Sequence, residues 1–206
     1  MKTVNIKRVS ILFVAMLLTS FGYGQDKLNL KLKAGATASK LIVDHSLIKN
    51  FTKNTLKPGF YIGLGTKGIK LSEKSSLDFE LLYSQKGALS ESEGFFHEKV
   101  KLHYVSIPIL YNRTIIPKLN IYVGVEAGAL IDSRIINGTV LRAINNQYLT
   151  GDLGLISGLS YNVNQQFYFD FRWVEGLTRL AFPTTGPVPF DARNRSIQLG
   201  MGYKLF

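Results

Sequence analysis

Apolar and polar side chains alternate one for one along most of the chain, the pattern of strands whose two faces meet different surroundings. In residues 167–173 the apolar parity holds Phe167, Phe169, Phe171 and Trp173, and the other holds Tyr168, Asp170 and Arg172. Similar alternation runs through 28–36, 60–65, 77–84, 104–111, 119–129, 152–161 and 197–205. The pattern predicts eight strands, most of about 10–13 residues, close to the length of a tilted membrane strand. Long connections, polar or rich in Pro and Gly, fall near 38–58, 88–98, 133–150 and 180–194; short ones fall near 71–75, 114–118 and 163–165. Long loops on one rim and short turns on the other describe an all-β, eight-stranded, antiparallel up-and-down transmembrane β-barrel.

A soluble ligand-binding barrel of the lipocalin kind also has eight alternating strands, with the apolar face turned inward. Strand length argues against it, since soluble strands usually run about 5–6 residues. The polar parity is also unlike a solvated surface: it is mostly Gly, Ser and Tyr with isolated charges of both signs. Eight strands leave an interior just filled by side chains, and charges placed there need partners. The residues expected to form a lumen charge cluster are Lys31, Lys33, Glu80, Glu126, Asp170, Arg172 and Lys204, with Asp78 on the same parity. Arg172 is expected to pair with Glu126 or Glu80. Tyr83, Tyr111, Tyr161, Trp173 and Tyr203 stand toward the ends of the apolar stripes, as interfacial aromatic girdles do.

Composition sharpens this picture at the N-terminus. Lys2, Lys7 and Arg8 precede an apolar run over 9–21, and Gly22-Tyr23-Gly24 supplies small residues before Gln25. That is the form of a secretory signal peptide over 1–24, leaving 25–206 as the barrel domain. Without the leader's three basic residues the net charge falls from +11 to about +8. Anionic lipid at a membrane surface fits that charge better than nucleic acid, since no Lys/Arg-rich run is present. With no cysteine, disulfides and thiolate metal sites are excluded.

The segments KLKAGATAS (31–39), PGFYIGLG (58–65), LDFELLYSQKGA (77–88), LHYVSIPILYN (102–112), IYVGVEAGALI (121–131), GLISGLSYN (154–162) and RSIQLGMGYKLF (195–206) carry a resemblance over nearly the whole mature chain. On these residues it resembles the PorT-like outer-membrane barrel family of Bacteroidetes. The resemblance implies an eight-stranded barrel in the cell outer membrane of a Gram-negative bacterium, and a namesake linked to protein secretion. It also implies that the chain's end, with Tyr203 and Phe206, is read by the barrel-assembly machinery. In YKLF, however, Phe206 stands on the parity opposite Tyr203, a departure that one extra residue or a bulge near Lys204 would explain.

Candidate chemistry is sparse. Gly63-Leu64-Gly65-Thr66-Lys67-Gly68 has dinucleotide-fingerprint spacing, but a strand follows where that fingerprint needs a helix N-terminus. Gly124 with Gly128 and Gly154 with Gly158 sit on lumen parity, where missing side chains make room for inward tyrosines. His45, His97 and His103 fall near the long-loop rim, where a histidine beside Asp44 and Ser46 could serve as a general base on lipid A or a similar lipid. Their spacing offers no metal pair. Lys40, Lys49, Lys53, Lys57, Arg179, Arg193 and Arg195 could meet lipopolysaccharide phosphates. The expected function is non-enzymatic and needs no cofactor: a side-chain-filled barrel displaying loops for adhesion, envelope integrity or docking of an extracellular or envelope protein. A rim enzyme and a soluble lipid carrier are the alternatives.

Overall fold

The aromatic stretch shows how the chain folds: Phe169 is 49% exposed and Trp173 37%, while Asp170 between them is 2% exposed and Arg172 fully buried. The apolar parity therefore faces outward and the charged parity faces a closed interior. The computed structural model describes residues 30–43, 53–91, 97–137, 140–143, 151–182 and 190–205. Eight strands build the wall: β1 (Leu30–Val43), β3 (Lys57–Lys70), β4 (Ser75–Glu91), β5 (His97–Ile116), β6 (Leu119–Asn137), β8 (Gly151–Asn162), β9 (Phe167–Gly176) and β11 (Phe190–Lys204). Three short strands, β2 (Lys53–Thr55), β7 (Val140–Ala143) and β10 (Leu180–Phe182), pair with β4, β6 and β11 at the long-loop end. Each wall strand pairs antiparallel with the next, and β1 returns to β11 from Lys31↔Lys204 to Val43↔Ala192. The sheet has become a closed eight-stranded barrel without a free edge.

The wall is taller than the alternation suggests. β4, β5 and β6 run 17, 20 and 19 residues. Segments near 38–58, 88–98, 133–150 and 180–194, expected as loops, thus contribute strand residues. Polar residues on both parities disguise these extensions as loop, although the ladder continues through them from Gln85↔His103 to Glu91↔His97. One shift matters for the faces: between His103 and Tyr104 the β5–β6 register slips by a residue. Beyond that bulge β6 reverses parity, so Asp132 and Arg134 stand on the outer face and Ser133 is buried.

Short turns close the opposite end. Asn164 caps the 163–166 turn, its side-chain oxygen accepting from the N–H groups of Gln166 (2.9 Å) and Phe167 (2.7 Å). Leu71 and Ser72 both donate to the Ser75 carbonyl across the 71–74 turn. The 63–68 stretch, with its dinucleotide-fingerprint spacing, lies in strand β3 and leads into another strand, as its sequence context predicts.

Inside, tyrosines fill the space that glycines leave. A Cβ on Gly202 would overlap the Tyr168 ring, one on Gly158 the Tyr122 ring, and one on either Gly35 or Gly200 the Tyr61 ring. Leu110, Tyr122, Ile156 and Val174 form a small apolar cluster in the lumen. Leu41, Ala88, Leu102, Tyr104 and Ala192 form another nearer the long-loop end. With Tyr104 and Ser39 at 0% exposure, the interior is packed rather than open.

Candidate functional site

The charged side chains inside the barrel occupy three levels. At the middle one, Lys33 from β1 donates to Glu80 at 2.8 Å and lies 3.4 Å from Asp170. Arg172 of β9 reaches the other Glu80 oxygen at 2.8 Å and lies 3.7 Å from Asp170. The Tyr122 hydroxyl donates to Asp170 at 2.9 Å and accepts from Arg172 Nε at 3.3 Å. Two cations thus face two carboxylates in a net-neutral group, the condition under which buried charge is tolerable. Glu80 is the Arg172 partner; Glu126 belongs to a different level.

That level lies toward the long-loop end. Lys86 donates to Glu126 at 2.5 Å and stands over the Tyr104 ring at 5.2 Å. Asn194 bridges the Tyr104 hydroxyl and Asp152 at 3.1 and 2.9 Å. Lys57, expected as a loop cation, is instead 2% exposed and points inward. Lys86 and Asp152 were missed as lumen charges, yet the signal was there: Lys86 continues the parity of Asp78, Glu80 and Ser84.

The third level is the mouth at the short-turn end. Lys31 pairs with Asp78 at 2.9 Å, and Lys204 donates to the amide oxygen of Asn162 at 2.7 Å. The expected cluster of seven is therefore distributed over three storeys rather than gathered at one point. Tyr203 faces outward, its ring 4.9 Å from that of Phe167. Phe206 lies outside the described residues, as do His45 and Lys49.

The outer wall near the long loops holds a different chemistry. Lys99 and Lys101 on β5 share the outward parity of Val105 and Ile107, and Lys101 pairs across the strands with Arg134. His103 stands between Tyr83, whose hydroxyl is 2.6 Å from Nδ1, and Asp132, 4.0 Å from Nε2. Arg134 donates to Asp132 at 2.8 Å. On the β1–β11 seam Lys40 lies opposite Arg195, with Arg193 two residues further up. Arg195 forms a two-pronged ion pair with Glu175 at 2.6 and 2.8 Å and covers Trp173 at 5.4 Å. Two groups of cations thus sit above the apolar belt on separate strand pairs. The described residues include no cluster of His, Asp or Glu suited to a metal ion.

Solved structures share this architecture. Neisserial surface protein A (NspA) of Neisseria superimposes with a TM-score of 0.57 at 15% identity, covering 85% of this chain and 97% of its own. Ail, the attachment invasion locus protein of Yersinia pestis, gives a TM-score of 0.52 at 14% identity, covering 87% and 100%. Ail in complex with the heparin analogue sucrose octasulfate gives 0.51 at 13% identity, with the same coverage. No curated protein sequence matches the chain. The sequence matches the outer membrane protein beta-barrel domain family over residues 23–181. With its apolar outer belt, filled lumen and closed ring of strands, the chain belongs to that family and resides in the bacterial outer membrane.

Proposed function

We propose that the protein is a display barrel of a Bacteroidetes-type, PorT-like lineage, which holds the outer membrane with its belt and meets polyanions with its extracellular wall. The carrying observation is the contrast between its two ends of chemistry. Among the described residues the middle of the lumen is filled by a charge-balanced group of ion pairs, while strands β4–β6 rise past the belt carrying outward Lys99, Lys101 and Arg134. Ammonium and guanidinium groups set directly above an apolar wall suit phosphorylated lipid, whose acyl chains lie against the wall and whose phosphates lie above it. Lipopolysaccharide is the resident partner in this reading, and a sulfated or phosphorylated surface polymer or an envelope protein is the docked one. The Ail complex with sucrose octasulfate is a precedent for polyanion binding on a barrel of this shape. Residues 1–24 serve as the export leader, and the barrel-assembly machinery inserts the mature chain. The reading needs no cofactor and no catalytic step.

The test is binding of sucrose octasulfate and of lipopolysaccharide to the protein in lipid nanodiscs. Replacing Lys99, Lys101 and Arg134 together by Ala should weaken both and flatten the salt dependence. Unchanged binding, or none in the unsubstituted protein, would remove the polyanion reading.

A further inference from the structure

The periplasmic mouth contains a second site, at the opposite end from the loops and independent of the polyanion reading. A cavity of about 290 Å3 opens there between the short turns, walled by four lysines (Lys31, Lys67, Lys74 and Lys204), two carboxylates (Glu73 and Asp78) and a ring of mostly neutral polar side chains. Its charge is unbalanced. Lys31 and Lys204 stand directly opposite each other across the β1–β11 seam, on the same inward face. Like charges so placed repel. Asp78 relieves Lys31 at 2.9 Å, but it also accepts from Ser76 at 2.7 Å and Asn112 at 3.4 Å, so its oxygens are committed. Lys204 is left with a neutral acceptor, the Asn162 amide oxygen at 2.7 Å. Asp78 also stands opposite Lys67 in the β3–β4 register, yet among the described residues no carboxylate comes within ion-pair distance of Lys204 or of Lys67 at the cavity's edge.

We infer that this cup binds a small oxyanion, a carboxylate or phosphate group, from the periplasm. Lys204 and Lys67 supply the charge, and Asn162 supplies an amide donor beside them. Thr114, Asn120 and Ser160 form a hydrogen-bonded row at 2.8 and 3.3 Å along the wall, a surface suited to hydroxyl groups on the molecule carrying the anion. The Tyr168 ring, 5.9 Å below the Lys204 ammonium, closes the floor. The lining is too polar for an acyl chain. Its volume lies at the lower end of small-molecule sites, the size of one sugar rather than a polymer.

The experiment is isothermal titration of the protein in zwitterionic nanodiscs, at constant ionic strength, with inorganic phosphate, acetate and glucose 6-phosphate. Saturable binding is expected, weakened about tenfold by Lys204→Gln, the loss of one charge-assisted hydrogen bond. Tighter binding of glucose 6-phosphate would identify a hydroxylated carrier, and equal binding of inorganic phosphate would identify the free ion. If Lys204→Gln does not fold, Lys67→Gln at the exposed edge carries the same test. No saturable binding by any of the three, or binding indifferent to the substitutions that fold, overturns the proposal.

Discussion

Arg172 shows what a single residue must satisfy inside a barrel of eight strands. Its guanidinium is fully buried and meets Glu80, Asp170 and the Tyr122 hydroxyl through Nη2 and Nε, so its charge is matched although Nη1 has no hydrogen-bond partner. Replacing it by Ala leaves Glu80 and Asp170 sharing only Lys33, one carboxylate too many for a dry interior. Arg172→Ala should therefore cost about 3–5 kcal/mol, read as a lower urea midpoint for unfolding from lipid vesicles. A wild-type midpoint would mean that water reaches this level and screens the carboxylates. Three residues earlier the same strand presents the opposite constraint. Phe169 points into lipid, and Phe169→Arg should cost about 2–4 kcal/mol near the bilayer midplane. Refolding yield and midpoint in vesicles measure it, and an unchanged protein would contradict the outward placement of that face.

At the scale of the strand, alternation carries most of what the sequence could reveal. Strand β9 is legible over 167–173, where every odd position is apolar and the residues between them are Tyr168, Asp170 and Arg172. The upper parts of β4, β5 and β6 were not, because outside the lipid belt both faces become polar and the period-two signal fades. A bulge then reverses the parity of β6, which no count of residues anticipates. Ion-pair partners were equally hidden: whether Arg172 meets Glu80 or Glu126 depends on strand stagger, a property of the closed sheet rather than of any one strand. Glycine positions, by contrast, carried a readable message. The β9–β11 register sets Gly202 directly opposite Tyr168, and the ring lies where a side chain on Gly202 would be. Gly202→Val should destabilise the barrel by about 1–3 kcal/mol through overpacking. Adding Tyr168→Ala should recover part of that loss, a coupling that a double-mutant cycle on unfolding midpoints would detect. Strict additivity would mean that the tyrosine lies elsewhere.

For the whole molecule the decisive contact is the seam at which the last strand meets the first. In lipid every backbone N–H and C=O must be bonded within the protein, so an open edge is not a stable alternative. The seam runs without a register shift from Lys31↔Lys204 to Val43↔Ala192, and Leu199 lies near its middle, opposite Ala36 on one side and Phe171 on the other. The sheet does tolerate two prolines where a ladder is missing: Pro58 opens β3 before its ladder with β4 begins at Tyr61↔Ser84, and Pro108 in β5 sits where the β4–β5 ladder breaks between Phe79↔Ile109 and Leu82↔Ser106. No such break surrounds Leu199. Leu199→Pro would therefore remove a ladder hydrogen bond that has no substitute in hydrocarbon, and would press a ring against the neighbouring strand. The intact protein should run as a compact, faster band on SDS gels when unboiled and shift on boiling. Leu199→Pro should lose the compact band at a markedly lower temperature, or never form it. If the two proteins convert at the same temperature, the seam contributes little to closure, and the resistance of the barrel must reside in its packed tyrosines and ion pairs instead.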